Sequence, residues 1–182
     1  GFSGKLIVIT NPMDVFTWYF AKHAGLDEGQ VVGFGGLLDS RRFTVALSSM
    51  GIKEEGMVLG EHGENQVPVF SKLSVDVPEA VREEVLLGLR GSSMPVIKGK
   101  GGTVFGPAYH IANMMQKIEK GEEFICSLPA NGAYGIDGCS IGLPAKVTRN
   151  GAKINENLKL DDWETAKLNA AAEFLTGLCR RV

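Results

Sequence analysis

The run Leu6-Ile7-Val8-Ile9-Thr10 is unbroken and β-rich, the pattern of a parallel strand buried on both faces, and such a strand needs neighbours. Almost nothing precedes it, so it reads as the stump of a sheet that belongs to another domain. Asn11-Pro12 then breaks the strand, and Asp14 to Ala24 reads as a helix ending before Gly25. Val31 to Phe34 is a short strand, Gly35-Gly36 a turn, and Leu37 to Met50 a helix terminated by Gly51. Met57 to Gly60 and Val67 to Phe70 read as strands flanking the loop Glu61-His62-Gly63. Val81, Val85 and Leu89 mark an amphipathic helix after Pro78, and Phe105, Ala108, Ile111, Met115 and Ile118 mark another behind Gly106-Pro107. The period then falls from 3.6 to 2. Asn131-Gly132 and Asn150-Gly151 are hairpin signals, and Ile141, Leu143, Ala145 and Val147 alternate between them as one face of an antiparallel strand. Asp161 with Glu164 opens a final helix striped by Leu168, Ala171, Leu175 and Leu178. The expected fold class is therefore α+β, an antiparallel meander packed by helices.

Composition narrows the functional classes. The 182 residues suit one domain with a real core, and 44% hydrophobic against 22% charged residues is an ordinary globular balance. Nineteen Lys and Arg against 21 Asp and Glu leave a net charge of -2, so no bulk positive field exists to hold nucleic acid or an anionic membrane, and neither is expected as a partner. Three cysteines with neither CxxC spacing nor a nearby His pair argue against a disulfide framework and against structural zinc, and read as buried thiols. No apolar run is long enough to span a membrane, and Gly1 to Thr10 lacks the basic start of a signal peptide, so a cytoplasmic protein is expected. Glycine is the outlier at 24 residues, nearly twice ordinary usage.

The glycine strings do not make nucleotide sites. Gly33-Phe34-Gly35-Gly36 has Leu38 where a dinucleotide fingerprint needs Gly, and Gly99-Lys100-Gly101-Gly102-Thr103 lacks phosphate-loop spacing. More informative is the helix from Leu37, where Asp39 and Arg42 share a face and Arg41 is turned away by about 100°. Leu37, Leu38, Phe43, Ala46 and Leu47 leave that helix little solvated circumference, so Arg42 needs an anion, and Asp39 alone cannot occupy its whole fork. A substrate carboxylate would complete it. His62 lies at a strand end between Gly60 and Gly63, where absent side chains let a ligand approach. A His used as acid and base wants a carboxylate to fix its tautomer, and Asp39 lies upstream. Glu61 and Glu64 offer a metal site only weakly, with no second His at ligand spacing, so no metal is expected; His23 and His110 read as non-catalytic.

Three strings, Thr10-Asn11-Pro12-Met13-Asp14-Val15, Leu38-Asp39-Ser40-Arg41-Arg42-Phe43 and Gly60-Glu61-His62-Gly63, occur here in the order and spacing of one family. From Lys5 to the final helix the chain resembles the carboxyl-terminal half of the lactate and malate dehydrogenases. Gly102-Thr103-Val104-Phe105-Gly106-Pro107-Ala108 looks more like the archaeal and bacterial malate dehydrogenases built on the lactate-dehydrogenase plan. The resemblance implies His62 as proton donor and acceptor, Asp39 as its carboxylate partner and Arg42 as the clamp on the substrate carboxylate. It also implies Asn11 as a contact to the nicotinamide end of the cofactor and to substrate, and Thr103 as a small residue lining the substrate pocket. Glu64-Asn65 departs from the family's Asp-Ser, a change expected to touch the loop more than the chemistry.

By the same resemblance, residues 1–24 are the last strand and following helix of a Rossmann, NAD-binding domain, and 25–182 form the catalytic, substrate-binding domain. The family's amino-terminal half, with its glycine fingerprint and the mobile loop that separates oxaloacetate from pyruvate, lies outside these residues. The implied function is the catalytic half of a malate dehydrogenase of the tricarboxylic acid cycle, using NAD or NADP on a small 2-keto or 2-hydroxy dicarboxylic acid. L-Lactate dehydrogenase and an isolated, non-catalytic domain remain alternatives. The chain alone is expected to be inactive, and the whole protein to form a homo-oligomer, dimer or tetramer.

Overall fold

The computed structural model describes residues 1–27 and 29–182. In chain order the elements are β1 (Leu6–Val8), α1 (Met13–His23), β2 (Val31–Gly33), α2 (Gly36–Ser49), β3 (Val58–Gly60), β4 (Gln66–Pro68), α3 (Glu79–Gly91), α4 (Met94–Lys100), α5 (Phe105–Lys120), β5 (Glu123–Pro129), β6 (Ser140–Thr148), β7 (Gly151–Ile154) and α6 (Asp162–Cys179). One sheet holds the strands in the order β1-β2-β5-β6-β3-β4, with β7 also on β6. Among the described residues only β1 and β2 run parallel; the remaining pairs are antiparallel, so the α+β architecture holds. Residues 1–24 contribute β1 and α1 to this sheet and to its packing, with Val8, Met13 and Val31 forming a small buried cluster.

β1 is less buried than its composition suggests. It ends at Val8, Leu6 and Ile7 are half-buried, and Ile9 is 60% exposed, because the strand pairs with β2 along one edge and packs on α1 with one face. β6 departs in the other direction. Ser140, Gly142 and Pro144 are buried as fully as Ile141, Leu143 and Ala145, so the alternation that resembled one wet face marks a strand covered on both. One edge of β6 carries β5 from Ser140 to Lys146, and the other is shared by β3 at Gly142 and by β7 from Ala145 onward. Pro144, with no N–H to give a ladder, falls at that handover.

The turns also differ from the dipeptide signals. Asn131 and Gly132 both have positive φ, yet the β5–β6 connection is longer than two residues and includes the 3-10 turn Ala133–Gly135. At the other hairpin Thr148 pairs with Gly151, so Arg149-Asn150 make the tip and the turn lies one residue earlier. α4 is a short helix that the apolar spacing does not mark: Pro95 sits in its first turn and Gly101 closes it with φ 75°, which absorbs part of the glycine string. On α5 the packed residues are Ile111, Met114 and Ile118, whereas Phe105, at 79% exposed, and Met115 face outward.

Helices cover both sides of the sheet. α6 lays Leu168, Ala171, Ala172 and Leu175 against Ile125, Ile141 and Leu143, and α5 and α2 cover Phe124, Cys126 and Leu128. Asp161 and Glu164 form the expected capping box at the start of α6. Glu164 is 0% exposed and does more than cap: it accepts hydrogen bonds from the Phe70 and Ser71 amides, both at 2.7 Å, from Ser71 Oγ at 2.6 Å and from the Asp161 amide at 3.1 Å. A buried carboxylate is tolerated where its lone pairs are filled in this way, and the result ties α6 to the chain leaving β4.

Candidate active site

Three chain segments converge at one end of the sheet: the turn from β1 into α1, the turn from β2 into α2, and the β3–β4 hairpin that carries His62. The hairpin is closed by Glu61 N–H to the Asn65 carbonyl, and Glu61 Oε2 in turn accepts from the Asn65 amide and from its side chain. The Glu64-Asn65 departure is thus absorbed within the loop, with Asn65 bound to Glu61 and Glu64 exposed. Gly60, at φ 87°, is needed for this turn, since a Cβ there would lie 2.5 Å from the Asn65 carbonyl oxygen. The residue that opens space for the imidazole is Gly35, ahead of α2, where a Cβ would stand 2.6 Å from His62 Cγ. Of the two glycines flanking the loop, Gly60 serves the turn, whereas Gly63 lines the cavity beside His62.

α2 projects Asp39 and Arg42 from one face while Arg41 stays exposed on another. The Asp39 side chain is 3% exposed and bridges an imidazole and a guanidinium: Oδ2 lies 2.6 Å from His62 Nδ1, and Oδ1 accepts from Arg42 Nη1 at 3.0 Å. With Nδ1 engaged, Nε2 is the nitrogen left to a ligand. A second carboxylate supports the same histidine from behind. Asp14, in the first turn of α1 and fully buried, accepts the His62 backbone N–H at Oδ2, 2.8 Å away.

These neighbours set the titration of the ring. Burial of His62 favours the neutral form, but the hydrogen bond and charge of Asp39, then the charge of Asp14, outweigh burial and the opposing Arg42, so the pKa is raised above 6.5. Burial pushes the Asp14 carboxyl up to about 6, with the Ser127 hydroxyl, the His62 amide and the His62 charge restraining it.

In front of His62 is a cavity of about 420 Å³ lined by Asn11, Arg42, His62 and Thr103, with Asp39 behind the imidazole. The five residues singled out from the sequence therefore meet at one place. His110 lies in a different cavity beside Arg41, where burial, then Arg41 and Arg42, lower its pKa; His23 packs on Tyr19 at the end of α1. Among the described residues no group of three or more His, Cys, Asp or Glu is arranged to hold a metal ion. Sequence reasoning gave no role to Asp14, although it lies inside the Asn-Pro string, nor to Gln66 and Arg90, which also line the cavity. Polar character alone does not mark such residues; their burial does.

Residues 37–179 match the family model described as lactate/malate dehydrogenase, alpha/beta C-terminal domain. A malate dehydrogenase of Natronomonas pharaonis is 38% identical over 181 residues, covering 93% of this chain and 60% of the relative. An L-lactate dehydrogenase of Macrococcus caseolyticus is 32% identical over 196 residues, covering 98% of this chain and 62% of the relative. Among solved structures, the malate dehydrogenase from Archaeoglobus fulgidus in complex with NADH superposes with a TM-score of 0.86 at 35% identity, over 97% of this chain and 61% of that one. The chain thus spans about 60% of the length of the relatives it matches.

Proposed function

Because the chain belongs to the lactate/malate dehydrogenase family, we propose that it is the substrate-binding and proton-transferring part of an NAD-dependent malate dehydrogenase. The observation that carries this reading is the single buried carboxylate of Asp39 shared by an imidazole and a guanidinium. Asp39 holds the Nδ1 proton, so Nε2 faces the reacting oxygen. For reduction of a 2-keto acid the imidazolium gives its Nε2 proton to the carbonyl oxygen; for oxidation of the 2-hydroxy acid neutral Nε2 takes the hydroxyl proton. The raised pKa favours the charged form relative to a free imidazole.

Arg42 spends one N–H on Asp39 and keeps the rest of its planar fork for the substrate's 1-carboxylate, which fixes the keto carbon in front of His62. Thr103 bounds the pocket with a small side chain. A nicotinamide cofactor, when bound, supplies or receives the hydride. The residues present suit its nicotinamide end: Ile9, exposed and apolar, and the Asn11 amide stand on the lining of the same cavity. The dinucleotide's phosphates would be held by a Rossmann domain contributed by the rest of the protein, as the NADH complex of the Archaeoglobus relative suggests.

Malate is preferred over lactate as substrate because the relatives matched at 36–38% identity are archaeal malate dehydrogenases, against 32% for the Macrococcus lactate dehydrogenase. The test is steady-state reduction of oxaloacetate and of pyruvate by the full-length protein, with NADH and with NADPH. The expected result is turnover of oxaloacetate with NADH. Faster turnover of pyruvate would make it a lactate dehydrogenase, and no turnover of either would reject the enzyme.

A further inference from the structure

Asp14 stands beside the active site without lining its cavity and without a fixed cation of its own. It is 3% exposed, in the first turn of α1, and its Oδ2 accepts the His62 amide at 2.8 Å across 48 positions of sequence. Oδ1 is buried with no hydrogen-bond partner, and so is the hydroxyl of Ser127 on β5, which faces the carboxylate. Among the described residues no Lys, Arg or His nitrogen lies within 4.0 Å of either oxygen.

The surroundings of this carboxylate leave its charge one group to act on. The β3–β4 hairpin brings His62, whose positive form favours the carboxylate, and Glu61, which opposes it. The chain leading into β6 and the end of α6 bring the thiols of Cys139 and Cys179, both kept neutral by burial first and by the Asp14 charge in addition. The positive charge in this set is therefore an imidazolium at His62, which also meets Asp39 and Arg42 from α2. The start of α1 favours an anion and relieves part of the cost of burying one. The hydrogen bond by itself does not require that cost, because a neutral amide oxygen would accept the same N–H. Burial pushes the Asp14 carboxyl up only to about 6, so the carboxylate form persists at neutral pH.

We propose that Asp14 is a positioning residue for the proton transfer: its oxygen fixes the main chain of His62 against the turn that carries Asn11, and its negative charge sustains the imidazolium alongside Asp39. The inference rests on the reading of His62 as proton donor and acceptor. Asp39 holds the ring at Nδ1, and Asp14 holds the backbone behind it. The support is reciprocal, since whatever the carboxylate adds to the imidazolium the imidazolium adds to the carboxylate.

The test has two arms, both on the full-length protein. In the first, kcat/KM is followed against pH in both directions for wild type, Asp14→Asn and Asp14→Ala. Loss of the charge should lower the His62 midpoint by about half to one pH unit, roughly a three- to tenfold change in protonation ratio. Asp14→Asn keeps an oxygen for the His62 amide. It should lose that factor in keto-acid reduction above the wild-type midpoint and gain it in hydroxy-acid oxidation below the midpoint. Asp14→Ala should show the same shift on a rate lowered in both directions. A midpoint unmoved in Asp14→Asn, whether the two rates fall together or stay as they were, overturns the proposal. The second arm needs neither turnover nor a folded Asp14 variant: NMR follows the aspartate carboxyl carbons of wild type and His62→Gln against pH. With the imidazolium gone, Asp14 should titrate at higher pH than in wild type. An Asp14 titration that does not move overturns the proposal even in an active enzyme. An upward shift in a protein that turns over neither keto acid supports the pairing and rejects only the dehydrogenase reading.

Discussion

Replacing Asp39 by Asn removes the charge and one of the two acceptors from the carboxylate that joins His62 to Arg42. Both partners are donors, His62 Nδ1 at 2.6 Å and Arg42 Nη1 at 3.0 Å, and the site is too buried for water to replace a lost oxygen. Whichever partner keeps the single amide oxygen, the NH2 group meets the other donor head-on. One charge-assisted hydrogen bond to the imidazolium is worth about 1.5–3 kcal/mol, so the protonated form loses a factor of about 10 to 150 against the neutral one. What remains around His62 is burial and Arg42, both favouring the neutral ring, against Asp14. The transition therefore moves to lower pH. In wild type, a raised pKa means that reduction is fast below the transition and fades above it, while oxidation does the reverse. On the alkaline side Asp39→Asn should lower kcat/KM for keto-acid reduction by about ten- to a hundredfold beyond any loss of the pH-independent rate. The assay is kcat/KM against pH in both directions at fixed ionic strength. Profiles that coincide in shape and midpoint with wild type would refute the role given to Asp39.

Arg42→Lys keeps the charge and loses the fork, so KM for the keto acid should rise about tenfold or more, whereas Arg41→Lys, on the exposed face of α2, should change it little; equal effects would show that the wrong face was assigned. Glu164→Gln leaves one oxygen for four donors that now share two, and should cost about 2–3 kcal/mol of stability, read as a lower denaturation midpoint at unchanged slope. A loss below about 0.5 kcal/mol would contradict the tie between α6 and β4. Cys126, Cys139 and Cys179 are all buried with thiols pushed up by burial, so none should react with a disulfide reagent at pH 7 in the folded protein, and all three should react once it is unfolded.

The helical face of α2, the capping box at Asp161 and the three strings around Asn11, Asp39 and His62 were legible because each depends on residues close in sequence. Spacing along one helix brings Asp39 and Arg42 together whatever the rest of the chain does. Other features depend on what packs against them. Ser140 and Gly142 read as a wet face of β6 because nothing local says that helices and neighbouring strands cover it on both sides. Glu123 to Pro129 shows no alternation because its centre is buried on both sides, so β5 carries no period to find. The work of Gly35 is invisible without His62, 27 positions later, against it. Asp14 and Gln66 are ordinary polar residues in sequence; only burial, Asp14 behind the His62 backbone and Gln66 on the cavity lining, separates them from residues on a solvated surface.

The central question is whether a proton passes through His62 Nε2, and His62→Gln in the full-length protein addresses it most directly. Glutamine approximates the ring's reach but cannot carry a proton at neutral pH. Loss of a positioned general acid costs about 10²–10⁴ in rate. The variant should therefore lose that factor in kcat/KM for both oxaloacetate reduction and malate oxidation, and with it the opposite pH dependences of the two directions. NADH affinity should stay close to wild type, because on the proposed reading the dinucleotide's phosphates are held by a Rossmann domain and not by His62. Near-normal turnover, or wild-type pH profiles surviving in His62→Gln, would contradict the assignment of His62 as the proton donor and acceptor.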